Sequence, residues 1–178
     1  MAVTINGSSS VTINDGSILG ITSGTAVAST SSTSINFINI PSWVKRVTIM
    51  LVGVSTNGAS GLAVQIGPVA GVETSGYSGY GWTGNTNNAG FTTEWIIQGT
   101  NSAANLHSGT VVLSLADSST NTWVMSAVGA GIGTNTVSIA GGSKAIASAL
   151  SVIRLIGSNT GSPVDTFDAG SVNILYEG

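Results

Sequence analysis

Side chains able to do acid–base or covalent chemistry are few in this chain. The 178 residues hold one histidine, no cysteine, seven carboxylates and four basic groups. A Ser-His-Asp relay through His107 is arithmetically open, but no G-x-S-x-G turn presents a nucleophile, so His107 reads as an ordinary loop residue. Asp165 and Asp168, in PVDTFDAG, have neither the alternating spacing of a calcium loop nor the separate-strand origin usual for a glycosidase pair. Their simpler reading is turn chemistry before Gly170, with each carboxylate accepting backbone N–H groups. Glu73 and Glu94 would form a second pair only if the fold brought them together. The residues point to no catalytic group, no metal site and no cofactor, and so to a protein that is not an enzyme.

The better chemical candidate is a binding surface. Gly76–Gly90 reads GYSGYGWTGNTNNAG and holds Tyr77, Tyr80 and Trp82 together with Asn85, Asn87 and Asn88. Aromatic faces stack on the C–H faces of sugars, while Asn side chains offer donors and acceptors to hydroxyls. The competing reading places the same rings on the domain's own flank or in a subunit contact. Glycine at this density, without a strand or helix period, predicts a loop. Trp43, Trp95 and Trp123 sit in strand patterns and read as core or interface residues.

The elements that must position this segment begin at Ile35–Gly58. From Val44 to Val54, Val47, Ile49 and Leu51 are apolar on one face and Met50, Val52 and Val54 on the other. Five β-branched residues favour strand over helix, and apolarity on both faces predicts cover on both, by a second sheet and by a neighbouring subunit. After the loop at Asn57–Gly61, Leu62–Gly67 alternates and completes an antiparallel hairpin with that strand. Pro68 ends it, and Val69–Thr74 has room for one further short strand. Phe91–Gln98 resumes a strand carrying Trp95 and Ile97. Thr110–Leu115 and Thr122–Gly129 form a second hairpin around Asp117–Asn121. Thr136–Ala140 leads to a turn at Gly141-Gly142. Ala145–Ile156 is open to helix in its first half and favours strand in its second, and Ser171–Tyr176 closes the chain. This pattern predicts an all-β fold, an antiparallel β-sandwich of jelly-roll-like kind over 35–178.

Residues 1–34 contain no aromatic side chain and repeat VTIN at Val3–Asn6 and Val11–Asn14. Two short strands with turns at Gly7 and Asp15-Gly16 have little core of their own, so the segment reads as an extended N-terminal arm ordered by other molecules, for attachment or trimerisation. Ala26–Ser34 reads as a flexible connector, with a Ser/Thr-rich edge strand as the alternative.

Composition narrows the partners. Only 6% of residues are charged, against 42% hydrophobic, and the net charge is −3. Four scattered basic residues do not build a phosphate-binding stripe, so no nucleic acid is implied. No apolar run approaches a membrane span, and the first residues do not look like a signal peptide. A surface of Ser, Thr, Asn and Gly suits a protein that is mostly interface or that works outside a cell.

Three phrases carry a resemblance: IPSWVKRVTIMLVGVSTNG, NTWVMS at Asn121–Ser126 and DTFDAGSVNILYE near the end. Together they resemble a β-rich domain of tailed-bacteriophage virion proteins, over about Ile35 to Glu177. The resemblance implies a β-sandwich module assembled as a homotrimer in the virion, on a tail fibre or the head surface, after assembly in the host cytoplasm. It implies a variable loop at the aromatic segment that contacts host-surface glycan, and no catalytic residues. The 34 residues ahead of the domain are shorter than a fibre shaft, which fits a short tail fibre or receptor-binding module, or alternatively a capsid decoration or head fibre, held to other virion proteins through the arm.

Overall fold

The computed structural model describes residues 20–84, 92–99, 102–133, 135–157 and 163–178, with the backbone alone of 12–13, 16–17 and 86–88. Among them are fifteen strands and no helix. In chain order these are β1 (Thr12–Ile13), β2 (Gly16–Ser17), β3 (Thr22–Ser23), β4 (Val27–Ala28), β5 (Ser34–Ile38), β6 (Arg46–Thr56), β7 (Leu62–Gly67) and β8 (Ser78–Thr83). There follow β9 (Thr86–Asn88), β10 (Trp95–Gln98), β11 (Leu106–Asp117), β12 (Thr122–Ile132), β13 (Thr136–Ala145), β14 (Val152–Gly157) and β15 (Phe167–Glu177).

Every pairing between these strands is antiparallel. The large sheet runs β3-β15-β6-β11-β12-β13-β8-β9, with β4 also on β15, and the small sheet runs β10-β7-β14-β5. The two close on one apolar core. Val47, Ile49, Val111, Leu113, Trp123 and Ile174 come from the large sheet, and Leu62, Val64, Ile66, Trp95, Ile153 and Leu155 from the small one. Alternation explains this at each strand, because every second side chain points to the same face. The architecture is the expected antiparallel β-sandwich.

Several expected details differ. The strands β6 and β7 do not form a hairpin: β6 lies between β11 and β15 in the large sheet, while β7 lies between β10 and β14 in the small one. The loop at 57–61 carries the chain across the sandwich, and Asn57 N–H is held by Thr166 C=O at 2.9 Å. Within β6 the alternation breaks at Gly53, whose φ is +59°. Pairing slips by one residue there on both neighbouring strands. The bulge turns Val54 into the core and leaves Val52 63% exposed on the outer face. Among the described residues, only the face bearing Val47, Ile49 and Leu51 is fully covered.

Ala26–Ser34 is not a free connector but an edge, as the alternative reading had it. Ser29 is fully buried; its N–H bonds to Gly170 C=O at 3.0 Å and its hydroxyl donates to Ala169 C=O. Ser31 N–H and Phe167 C=O meet at 2.7 Å. Its small polar residues suit a strand-like path against the irregular start of β15. In the arm, β1 and β2 pair with each other, and the first VTIN copy lies outside the described residues. Residues 69–74 form no strand. Residues 146–151 are neither helix nor strand and lead directly into β14.

The segment expected to be a loop is largely strand. β8 pairs with β13 from Ser78↔Ser143 to Thr83↔Ser138, and Gly141 and Gly142 continue β13 rather than turning it. The cause is Trp95 of the opposite sheet. A Cβ at Gly142 would lie 2.7 Å from its Nε1 and 2.4 Å from Ser78 C=O, and one at Gly79 would lie 2.7 Å from Gly141 C=O. The glycines leave room for the indole and let the backbones approach.

This packing makes a paired prediction. Gly142→Ala should destabilise the fold by roughly 1–3 kcal/mol, with a thermal midpoint several degrees lower. Gly141→Ala, whose Cβ would find its nearest atom at 3.6 Å, should change it little. Equal midpoints for the two variants would refute the wedge.

Candidate functional site

β8 divides the aromatic candidates between two faces. Tyr77 stands just before the strand and is buried, 3% exposed. Its ring meets Trp95 edge to face, with centroids 5.2 Å apart at 89°. Its hydroxyl accepts Ile66 N–H at 2.7 Å and lies 3.0 Å from Glu73 C=O and 3.1 Å from Ile66 C=O, either of which can take its proton. Burial pushes the phenol well above the ordinary tyrosine range. Tyr77 therefore braces the core, where the sequence suggested a surface ring.

Tyr80 and Trp82, two residues apart, point outward and are 70% and 47% exposed. The Trp82 indole N–H donates to Gly84 C=O, which fixes the ring and leaves its face open. Together with Gly81, Ile139, Ala140 and Gly141 they line a shallow, open shelf of about 290 Å³. Its floor is low because Gly141 stands opposite Tyr80 in the register. Asn87 and Asn88 belong to β9, opposite Trp82 and Gly81; Asn85 lies outside the described residues. The shelf can offer two aromatic faces and one phenol hydroxyl to a ligand with an apolar side.

The carboxylates are occupied by structural work. Glu73 binds the Lys144 ammonium and accepts Ala147 N–H at 2.8 Å. Burial acts to raise its pKa, but these two donors outweigh it and hold the carboxyl below its ordinary range. Lys144 is 5% exposed and sits 5.5 Å from the Tyr77 ring centroid, so one buried cation ties β13 to the loop before β8. Glu94 is buried on the approach to β10. Asp165 accepts Ser60 N–H at 2.8 Å, and Asp168 accepts the Ser55 hydroxyl. The expected turn chemistry is not what these bonds do: Asp165 holds a distant loop, and Asp168, within β15, takes a side-chain hydroxyl from β6. Among the described residues, no cluster of three or more His, Cys, Asp or Glu could hold a metal ion.

His107 is not in a loop. It lies in β11 opposite Val54 and Gly131 and is 4% exposed, beside a cavity of about 20 Å³ bordered by Leu62, Gln98 and Ser138. Its Nε2 and Gln98 Oε1 are buried without a hydrogen-bond partner among the described residues. Burial alone lowers its pKa.

One feature escapes a motif search. Outward side chains of the large sheet form an apolar field that includes Val124, Val128, Ile132, Val137 and Ile139. Its only sequence signal is the second apolar alternation hidden between Trp123, Met125 and Ala127. A comparison with known protein families finds no family model that matches the chain, and no curated protein matches it.

The pKa shifts set a pH dependence. Because the folded state holds His107 below its ordinary 6.5, the unfolded chain binds more protons as the pH falls through that value, and stability declines from there downward. The Glu73 contribution is present above the ordinary carboxylate value of 4.5 and is lost only at lower pH. Thermal melts from pH 7 to pH 5 should therefore fall for the native chain and stay flatter for His107→Gln; parallel curves would contradict the assignment.

Proposed function

We propose that this chain is a non-enzymatic structural component of a tailed-bacteriophage virion, a short tail fibre or receptor-binding module, and that Tyr80 and Trp82 contact host-surface glycan. The resemblance carried by IPSWVKRVTIMLVGVSTNG, NTWVMS and DTFDAGSVNILYE motivates the virion assignment. The observation supporting the contact is the exposed aromatic pair above a glycine floor. Residues two apart on a strand are about 6.8 Å apart, a separation that suits stacking against successive faces of a short saccharide. Trp82 is already fixed by its bond to Gly84, so little side-chain freedom is lost on binding. The absence of charge on the shelf suits a neutral sugar. In this reading the N-terminal arm joins the module to other virion proteins and the module assembles with copies of itself.

A second reading is a capsid decoration or head fibre, in which subunit contacts and not the shelf do the work. The uncharged outer field of the large sheet favours it.

The double variant Tyr80→Ala/Trp82→Ala separates them. The receptor reading expects binding to host cells or their surface polysaccharide to fall by about tenfold or more, from loss of two stacked rings, with an unchanged melting profile. Undiminished binding would contradict that reading and leave the decoration reading standing.

A further inference from the structure

The register of the large sheet sets its outward residues in rows. One row runs Trp82, Ile139, Val128, Thr110, Met50, and the next runs Val137, Ala130, Ser108. Val128 and Val137 are each 59% exposed, Ile132 57% and Ile139 54%. The outward positions of β8, β13, β12 and β11 in these rows carry no charge, and the one charged pair on this face is Arg46 with Glu177, 3.7 Å apart at its corner. From β6 to β13 the face measures roughly 19 Å by 30 Å, or roughly 600 Å² before side-chain relief is added. Ser and Thr share this area with Val and Ile, so its apolar part falls inside the range for the largest apolar patch on a monomer, about 300–600 Å².

From this face we infer that it is covered by the same face of a second copy of this chain. The inference deepens the proposed assembly of the module by naming its contact surface. Three features on the face select the occupant. Its central rows carry no charge, so it has no means of choosing a charged partner. Sheets pack face to face about 10 Å apart with strands within about 30°, and this face is itself the exposed side of a sheet. Its relief is self-complementary: β12 and β13 raise Val128, Ile139 and Val137, while β11 presents the smaller Ser108, Thr110 and Ser114. The ridge of one copy fits the trough of the other when the contact is isologous. Counted for both copies, the buried area comes to about 1,200 Å² or more, the lower bound of a standard stable interface. The Tyr80 and Trp82 rings lie on the bordering strand β8, at the rim of the contact, and share Ile139 with it.

Light scattering on the full chain after gel filtration tests this. The expected mass is twice that of the 17.6 kDa protomer, because an isologous contact closes at two copies. Val128→Lys and Val124→Lys, each placing an ammonium on β12 within the face and away from the shelf, should weaken association by at least about tenfold while circular dichroism stays native. Val69→Lys, on a loop elsewhere and 83% exposed in the native chain, should leave the mass unchanged. A monomeric native chain, or association indifferent to both lysines, would overturn the inference; co-sedimentation of a monomer with neutral phosphatidylcholine vesicles would overturn it in favour of a lipid surface. Polysaccharide binding by the same samples keeps the two proposals apart. Lost association with binding intact refutes neither the shelf nor its ligand, and lost binding in Tyr80→Ala/Trp82→Ala with an unchanged mass leaves the interface standing.

Discussion

Trp95 closes the sandwich by filling the space that Gly79 and Gly142 leave free. Its indole comes from the small sheet, lies against two backbones of the large one and meets the edge of Tyr77. A buried Trp contributes on the order of 3–5 kcal/mol relative to Ala, comparable with the net stability of a domain. Much else follows from where that ring sits. The inward position next to the indole on β8, Gly79, must be glycine, and the strand's large rings stand at the outward positions Tyr80 and Trp82. Tyr77, one step before the strand, is drawn inward to brace the indole, and its hydroxyl in turn anchors Ile66 and the Glu73 loop. The Lys144–Glu73 pair then locks the same corner. A packing constraint in the core thus decides which aromatic residues the surface displays.

This explains what could be read from the residues and what could not. The hairpin of β11 and β12 is legible because Val111, Leu113, Trp123 and Met125 alternate on either side of a polar turn. β7, β14 and β15 are legible for the same reason. β8 is not, since a run of glycines is a loop signal unless one knows that a tryptophan thirteen or more residues away rests on it. Gly141-Gly142 misleads in the same way. The hairpin expected between β6 and β7 fails because alternation identifies strands but does not say which sheet each joins, and the crossing at 57–61 is held by Thr166 from far along the chain. Gly53 hides a bulge that changes which residues face inward. Of the candidate binding residues, the exposure of Tyr80 and Trp82 agrees with the sequence reading, whereas Tyr77 belongs to the core.

The two sides of the large sheet differ in kind. Its inner side follows ordinary alternation and ends in a dense core. Its outer side mixes Val and Ile with Ser, Thr, Ala and Gly and leaves charge to the corners. Low charge lessens the repulsion that keeps many proteins apart, and a weakly polar sheet face is well suited to contact with another surface. The same low-charge composition supplies a surface suited to assembly, and both proposed virion roles draw on it.

Immunogold electron microscopy of intact phage particles carrying the gene for this chain, with serum raised against the purified protein, tests the account most directly. The account predicts label on the particles, at the tail for a receptor module or over the head for a decoration. Particles that bear no label, in a lysate where the protein is abundant and free, would contradict it.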